Sequence, residues 1–327
     1  MGVQPLNAGA ENILVKSEEE ISLHAGCRPQ ERPIEEYLKF GVVNIDKTSG
    51  PTSHQFTSWV SRAVGVKKAG HSGTLDPKVT GVLPVCFENA TKIVQFLLLA
   101  PKEYVCLMKL HGEVTNNDLK KTFSEYQTNI YQRPPLKSAV KRELRVRHIY
   151  EIKFMEKKGP YVLFSIRSEA GTYIRKICHD FGLTLGVSAH MQQLRRIKSG
   201  PYDESTIVTL HDLADAAAYW KEDGDEKPLR KAVQPVETAV SHLKKIWVSD
   251  GAVDSLCHGA TLKVPGVLRL SDGITKGEYV GLMTQKDELV AVAEARMTSK
   301  EIMDAQRGEC AVLERVIMNT DVYPKRW

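Results

Sequence analysis

Every second residue from Leu144 to Phe154 is apolar or carries a ring. A period of two is typical of a β-strand with one buried face. The turn Gly159-Pro160 follows, and the run YVLFSIRS at 161–168 continues as a second strand. The sequence therefore predicts an antiparallel hairpin, and any fold for this chain must contain a sheet with antiparallel pairs.

Strands and helices are predicted elsewhere without a regular βαβ alternation. Residues 40–46, 81–85 and 102–114 have the pattern of strands, and residues 89–99, 116–127, 172–182 and 210–220 have that of helices. Ser53 is a candidate cap for a further helix that ends at Gly65, in which Phe56, Trp59, Val60 and Val64 share one face. This mixture predicts an α+β fold, with a largely antiparallel sheet and flanking helices.

A length of 327 residues favours two domains. Residues 1–36 form an acidic extension that is either mobile or packed on another part of the fold, including the C-terminal domain. Residues 37–235 are predicted to form the larger domain, whose last segment, 221–235, is charged and reads as a linker. Short strands and one small helix in 243–320 predict a compact β-barrel-like domain.

Composition bounds the function only loosely. The formal net charge is +5, which permits an anionic partner without requiring one. The six cysteines are scattered singly, so neither a zinc site nor a disulfide framework is indicated. The N-terminus lacks the pattern of a secretory signal, and the longest apolar run is too short to cross a bilayer. A cytoplasmic protein is expected.

Several common chemistries have no support in the sequence. Residues 65–72 have the glycine spacing of a phosphate-binding loop, but His71 stands where that loop requires lysine. The motifs GxGxxG, HExxH and GxSxG are absent, and the ten histidines are dispersed. NTPase, dinucleotide, metal and serine-hydrolase interpretations are therefore set aside.

Two clusters of basic residues are more informative. One is QRPPLKSAVKRELRVR, and the other is HMQQLRRIKSG. Charges of one sign repel one another, so such clusters indicate a compensating anion such as a phosphate backbone, or else a solvated face of a hairpin. Their basic residues are Arg133, Lys137, Lys141, Arg142, Arg145 and Arg147 in the first, and Arg195, Arg196 and Lys198 in the second.

One carboxylate, Asp76, lies in the glycine-rich run KAGHSGTLDPKVTGVLPV. Pro77 forces it out of the helical region, while Gly70 and Gly73 permit close approach of a ligand. Considered alone, this is either a reactive group or an Asp-Pro turn. The role of Arg175 is equally undecided, because this residue lies one position off the apolar face of its helix and could simply be solvated.

Five motifs, in order, resemble the TruB family of pseudouridine synthases. They are DKTSGPTSH at 46–54, GHSGTLDPKVTGVLPV at 70–85, KEYV at 102–105, RSEAGTYIRKICHDFG at 167–182 and AHMQQLRRIKSGPY at 189–202. The first basic cluster, together with a C-terminal region similar to a PUA domain, resembles the archaeal and eukaryotic dyskerin branch. Members of that branch are the catalytic subunits of box H/ACA guide ribonucleoproteins, and the missing lysine-rich tails indicate the archaeal form.

The resemblance implies a role for five residues. Asp76 matches the catalytic nucleophile, Arg175 the arginine that pairs with it, and Tyr104 the tyrosine that packs on the flipped uracil. Leu194 matches an apolar residue of the pocket, and His71 a histidine that helps displace the base. Thr48 departs from the family pattern, which has proline after Lys47, and this should affect only the support of the catalytic loop.

The chemistry suits these residue types. Pseudouridine forms when the glycosidic bond breaks, the uracil rotates and C5 joins the same sugar carbon, without redox change, so no cofactor is expected. The base must leave its stack, which requires a wedge, a platform and an ionised group. Burial pushes a carboxylate toward its neutral form, and an adjacent guanidinium opposes that shift. Attack at C6, attack at C1′ and proton abstraction from the sugar all remain open for Asp76.

RNA contacts are expected beyond the catalytic pocket. Lys47, Arg142 and Arg145 are predicted to bind RNA, as are Gly259 and Lys263 of the PUA-like domain. In that domain the resemblance implies binding of the 3′ ACA box of a guide RNA or of an acceptor-type RNA end. A small β-barrel without a ligand would fit the composition equally well.

The implied partners are a guide RNA, a substrate rRNA or tRNA, and three proteins: a zinc-ribbon type subunit, a glycine/arginine-associated β-barrel subunit and a kink-turn-binding protein. Two hypotheses stay open, an RNA-modifying isomerase and a non-catalytic RNA-binding scaffold. The joint presence of Asp76, Tyr104 and Arg175 favours the enzyme.

Overall fold

A computed structural model describes residues 12–134 and 141–325. Its strands are β1 (Ile13–Val15), β2 (Gly41–Lys47), β3 (Ala69–His71), β4 (Thr80–Phe87), β5 (Lys102–Leu110), β6 (Asn129–Gln132), β7 (Arg145–Lys158), β8 (Tyr161–Ser168), β9 (Ala189–Ser199), β10 (Tyr202–Asp203), β11 (Val233–Pro235), β12 (Lys244–Val248), β13 (Leu262–Lys263), β14 (Val267–Ser271), β15 (Tyr279–Met283), β16 (Leu289–Ala295) and β17 (Glu309–Val316). Its helices are α1 (Ile34–Lys39), α2 (Ser53–Val64), α3 (Val94–Leu99), α4 (Asn116–Glu125), α5 (Ile174–Thr184), α6 (Leu210–Asp223), α7 (Lys227–Ala232), α8 (Asp250–Cys257) and α9 (Ser299–Asp304).

The strands form two sheets. The larger has ten strands in the order β11-β2-β4-β9-β5-β8-β7-β6, with β10 on β9 and β3 on β4. The smaller has seven, in the order β1-β14-β12-β15-β16-β17-β13. Nearly all pairs are antiparallel, apart from β4 with β9 and β12 with β15. The predicted α+β class and the hairpin, which is β7 and β8, are confirmed.

A continuous apolar core joins the two sheets. Phe40, Val42 and Phe96 from the larger part pack in the same cluster as Trp247 and Met283 from the smaller one. Burial of this apolar surface holds the two units together.

The interpretation of residues 221–235 as a linker is wrong. Helix α6 continues to Asp223, α7 follows, and β11 pairs with β2 as an edge strand of the larger sheet. Leu229 and Val233 are completely buried. The segment holds only the end of α6, one helix of six residues and a strand of three, so each element is too short for a hydrophobic period to emerge from the sequence.

The described part of the acidic extension packs on both units, because residues up to Gly26 contact the smaller one and Ile34 is buried in a core cluster of the larger one. Strand β1 pairs with β14, and Lys16 Nζ donates to the carbonyls of Met303 and Ala305. Lys286 Nζ in turn donates to the carbonyls of Ala25 and Gly26. Of the two alternatives for this segment, the packed one is therefore observed for residues 12–36.

Three local predictions need correction. Thr52, not Ser53, caps α2, because its hydroxyl and the side chain of Gln55 bond reciprocally to each other's backbone. Trp59 is 39% exposed and does not share the buried face of this helix. The expected helix at 89–99 is divided into a 3₁₀ segment, Glu88–Ile93, and α3.

No helix in the part of the chain that the structure describes is long and apolar enough to cross a membrane.

Candidate active site

The loop between β3 and β4 carries Asp76. Its chain is held by hydrogen bonds from Val79 N–H to the Asp76 carbonyl and from Gly50 N–H to the Pro77 carbonyl, both 2.9 Å. Ser53, at the start of α2, binds Leu75 twice, since its hydroxyl donates to the Leu75 carbonyl and accepts from the Leu75 N–H. The loop is thus fastened to the helix before it, and the Asp76 side chain is left 54% exposed.

Arg175 forms an ion pair with Asp76. The guanidinium, on the first turn of α5, donates through Nη2 to Asp76 Oδ2. Both side chains remain more than half exposed, so water or a ligand can reach them. The structure therefore brings together two residues that lie 99 positions apart, as the motif resemblance implied.

Lys47 lies beneath the loop. It is completely buried, and its Nζ donates to the carbonyls of Thr48, Pro77 and Val79 at 3.0–3.1 Å. Burial lowers the pKa of Lys47, against a smaller opposing effect of Asp76. The sequence predicts that Lys47 binds RNA, whereas in the structure its ammonium group donates to the backbone around Asp76.

Tyr104 and Arg196 are direct neighbours on strands β5 and β9. Arg196 is 1% exposed, and its guanidinium donates to the Val82 carbonyl (2.7 Å) and to the Gly73 carbonyl (3.2 Å), while its charge interacts with the neighbouring Tyr104 side chain. Tyr104 and Leu194 are half-buried and pack against the same core cluster, so they share one side of the sheet. Through Arg196, the structure thus connects Tyr104, which is predicted to pack on the uracil, to the loop that carries Asp76.

His71 ends β3, two residues before Gly73. Its Nδ1 accepts the Gly73 N–H at 3.3 Å, which leaves the ring proton on Nε2, and Nε2 is buried without a described partner. The His54 ring packs edge-on against it, 4.9 Å between centroids. Burial, then His54 and then Arg196, lower the pKa of His71 to about 4, so the ring is neutral near pH 7.

Lys102 is a buried cation that sequence reasoning missed. Its Nζ donates to the carbonyls of Leu97, Leu98 and Ala100 at 2.7–2.8 Å and so satisfies the end of α3. Burial, followed by the charge of Arg196, lowers its pKa to about 7. The signal was present in the alternation of β5, in which Lys102 shares its face with the buried Cys106 and Met108.

The second basic cluster is not the positive surface that its composition indicated. Arg195 binds both Asp46 and Glu204, and Arg196 is buried, so only Lys198 of the three is exposed. A strand turns neighbouring side chains to opposite faces, and this rule could have separated the two arginines beforehand.

The described residues of the first basic cluster include three arginines at or just before the start of β7. Arg142 is exposed and donates to the Pro134 carbonyl, while the half-buried Arg145 donates to the Lys141 carbonyl. Arg147 pairs with Glu169. Lys137 lies outside the described residues.

In the smaller unit, Gly259 follows α8 with φ +91°, and open space surrounds the position of a side chain there. Lys263 is exposed on β13, which pairs with β17. Within residues 12–134 and 141–325, no group of three or more histidine, cysteine, aspartate or glutamate side chains is arranged to hold a metal ion.

Four family models match the chain. "TruB family pseudouridylate synthase (N terminal domain)" covers residues 61–174 and "tRNA pseudouridylate synthase B C-terminal domain" covers 175–241. The chain belongs to the TruB family of pseudouridine synthases. The "DKCLD (NUC011) domain" matches residues 4–57 and the "PUA domain" residues 244–317, so this TruB enzyme carries both additional modules.

Curated relatives of this pseudouridine synthase cover nearly its whole length. "Probable tRNA pseudouridine synthase B" of Methanocaldococcus jannaschii is 52% identical over 317 residues, which are 97% of this chain and 94% of the relative. The protein of the same name from Pyrococcus horikoshii is 53% identical over 317 residues, 96% of this chain and 95% of the relative.

Solved structures give the same result. The chain matches one from a Cbf5-Nop10-Gar1 complex with a TM-score of 0.92 and 50% identity, over 98% of both chains. It matches a second, from an H/ACA RNP bound to a substrate RNA containing 2′-deoxyuridine, with a TM-score of 0.91 and 48% identity, again over 98% of both. The family resemblance of the sequence motifs and the C-terminal PUA domain are thereby confirmed.

Proposed function

We propose that this TruB-family pseudouridine synthase isomerises uridine in rRNA or tRNA as the catalytic subunit of a guide-RNA ribonucleoprotein of the H/ACA type. The observation that carries the proposal is the ion pair of Asp76 and Arg175, open to solvent at the end of a loop that is otherwise tied down. Full-length similarity to the Cbf5 chains of Cbf5-Nop10-Gar1 and H/ACA complexes supports the guide-dependent form.

Asp76 is proposed as the nucleophile toward the target nucleoside. Its charge is needed in all three routes, which are attack at C6, attack at C1′ and proton abstraction from the sugar. When RNA covers the site, the loss of water disfavours the charged carboxylate, and the guanidinium of Arg175 opposes this effect. The reaction exchanges a C1′–N1 bond for a C1′–C5 bond, and the proton leaves C5 for N1, so atoms and electrons balance within one nucleoside.

The base is proposed to be held between the strands and the loop. Tyr104 offers a ring face for the flipped uracil, and Leu194 completes an apolar wall beside it. His71 enters the space vacated by the base. A neutral imidazole suits this role, because an apolar, stacked position disfavours a charged ring.

RNA is proposed to reach the site over two basic regions. Arg142 and Arg145 of the hairpin contact the phosphate backbone, and Gly259 with Lys263 contact the 3′ end of the guide. The open space at Gly259 supports a close approach of RNA to the backbone there. The proposed division of labour is a catalytic domain at 37–235, a PUA domain at 243–320 and a packed extension at 1–36.

The proposed protein partners are the zinc-ribbon type subunit, the glycine/arginine-associated β-barrel subunit and the kink-turn-binding protein. A cytoplasmic location is part of the proposal.

The role of Asp76 is tested by assembling the protein with guide RNA and accessory proteins and counting pseudouridine in the target. We expect Asp76→Asn to form no detectable product, while the exposed control Asp223→Asn retains wild-type activity. Equal product from Asp76→Asn and wild type would remove Asp76 from catalysis. Absence of product from the wild type in every assembly would favour the non-catalytic scaffold instead.

Action on tRNA without a guide is a second candidate function, supported by the name of the relatives, "Probable tRNA pseudouridine synthase B". The same assay on a tRNA T-loop, with the protein alone, separates the two. Product from tRNA alone supports the stand-alone activity, and product only with the guide and its partners excludes it.

The role of Arg142 and Arg145 in RNA binding is tested by the salt dependence of that binding. Replacing Arg142 and Arg145 with glutamine should weaken binding and lower the slope of log K against log salt by about 1 for each phosphate that the variant no longer neutralises. The matched control is the pair Lys120→Gln and Lys121→Gln on the exposed side of α4. An unchanged slope for the arginine pair would make the hairpin a solvated face.

A further inference from the structure

A buried guanidinium lies at the centre of the larger sheet, directly under the candidate site. Arg196 is on β9, between β4 and β5, and its side chain is 1% exposed. Among the described residues none of the carboxylates forms an ion pair with it, in contrast to its neighbour Arg195. A desolvated and unpaired charge is costly, so it needs hydrogen bonds that offset the loss of water.

The neighbours of Arg196 belong to three different parts of the site. Its two carbonyl acceptors are Val82, on β4 after the loop that carries Asp76, and Gly73, in that loop. Its cross-strand partner is Tyr104 on β5, so one planar group lies beside both the Asp76 loop and the side chain proposed to stack on the base. The charge of Arg196 also acts on His71, where it adds to the effect of burial in keeping the ring neutral.

Two glycines make this arrangement possible. At Gly81, which pairs with Arg196 across β4 and β9, a Cβ would lie 2.2 Å from the Arg196 carbonyl, so only glycine lets the strands approach. Gly73 adopts φ +132°, a conformation that side chains rarely permit, and this turns its carbonyl toward the guanidinium. The backbone around Arg196 is shaped to receive it.

We propose that Arg196 is a positioning residue of the pseudouridine synthase reaction, which fixes the Tyr104 ring and the Asp76 loop relative to each other. The inference rests on the roles proposed above for Asp76 and Tyr104. An arginine is required because its N–H groups diverge in one rigid plane and reach separate acceptors, whereas an ammonium is a single flexible donor group. Displacement of a reacting group by about 1 Å can cost about a hundredfold in rate.

The test compares Arg196→Lys with Arg230→Lys in the assembled complex. Arg230 is a matched control, because it also joins separate segments by donating to the carbonyls of Gln30 and Arg32, but it lies on α7. With saturating RNA, Arg196→Lys should lower the single-turnover rate about ten- to a hundredfold and change RNA affinity less than about threefold. Arg230→Lys should leave both within about twofold.

Tyr104→Phe supplies a second variant that keeps the ring. If Arg196 acts through the hydroxyl, then Arg196→Lys should lower the rate less in the Tyr104→Phe background than in the wild type. Independent, multiplicative effects of the two changes would overturn the connection to Tyr104.

Hydrogen exchange gives a readout that does not depend on turnover. Amides of residues 72–79 should exchange at least about fivefold faster in Arg196→Lys than in Arg230→Lys, because the loop loses its anchor. Wild-type exchange together with a wild-type rate in Arg196→Lys would overturn the proposal. A fully active Asp76→Asn, measured in parallel, would overturn the proposed function alone, since the exchange result would still stand for or against Arg196.

Discussion

The two layers of the site use charge in opposite ways. In the upper layer, Asp76 and Arg175 pair with each other, and both are more than half exposed. In the lower layer, Lys47, Lys102 and Arg196 are buried and donate to backbone carbonyls. Side chains that are proposed to react must be accessible to a substrate, so they are exposed to solvent. The hydrogen bonds that hold the loop are stronger because the protein interior has a low dielectric constant. Stability is therefore expected to depend on the lower layer and reactivity on the upper one.

The largest effect on stability is expected for Lys47→Met. The carbonyls of Thr48, Pro77 and Val79 would lose their donor in a dry environment, where each unsatisfied acceptor costs about 1–3 kcal/mol. Removal of a desolvated charge offsets part of this, so the free energy of unfolding should fall by about 2–4 kcal/mol in chemical denaturation. The exposed control Lys198→Met should change it by less than about 0.5 kcal/mol. Equal values for the two variants would remove the distinction between the layers.

Lys102 should make stability rise with pH. Between its folded pKa of about 7 and the ordinary value of 10.5, the unfolded chain holds a proton that the folded chain has released. The free energy of unfolding therefore increases with pH in this window, by up to about 1.4 kcal/mol per unit. Relative to Lys102→Met, the wild type should gain about 2 kcal/mol from pH 7 to pH 9 in urea titrations. A constant difference would mean that Lys102 is not desolvated.

His71 should affect the free energy of unfolding at acidic pH. Its folded pKa of about 4 lies below the ordinary 6.5, so between these values the unfolded chain takes up a proton and the folded chain does not. The contribution of His71 to stability is present in full above pH 6.5 and is lost as the pH falls toward 4. Because the ring is partly exposed, we expect a loss of only about 1–2 kcal/mol relative to His71→Asn. His242 titrates in the same window, but it is present in both proteins and cancels.

The smallest effect on stability is expected for Arg175→Met. Exposed ion pairs contribute about 0–1 kcal/mol, so the free energy of unfolding should change by less than about 1 kcal/mol. Product formation should nevertheless fall by about a hundredfold or more, because the charge beside Asp76 is removed. A large loss of stability with little loss of product would reverse the assignment of the two layers.

Local pattern determined much of the architecture. The alternation along 144–168 became β7 and β8, and the glycine at position 65 ended α2 in a left-handed conformation. Such features depend on neighbours within a few residues, so they can be predicted from a single chain. The segment 221–235 could not, because its burial depends on β2, almost two hundred residues earlier.

For the site, the sequence by itself predicted which residues meet the substrate. The motif resemblance identified Asp76, Tyr104 and Arg175, and the structure brings the two members of the Asp76–Arg175 pair together. Only the tertiary structure decided what the remaining cations do. Lys47 and Arg196 look like RNA ligands in a basic sequence, and the fold buries both. The reason is physical, because the charge of a side chain is a property of the residue itself. Its exposure to solvent and its hydrogen-bond partners depend on strands that come from distant parts of the chain.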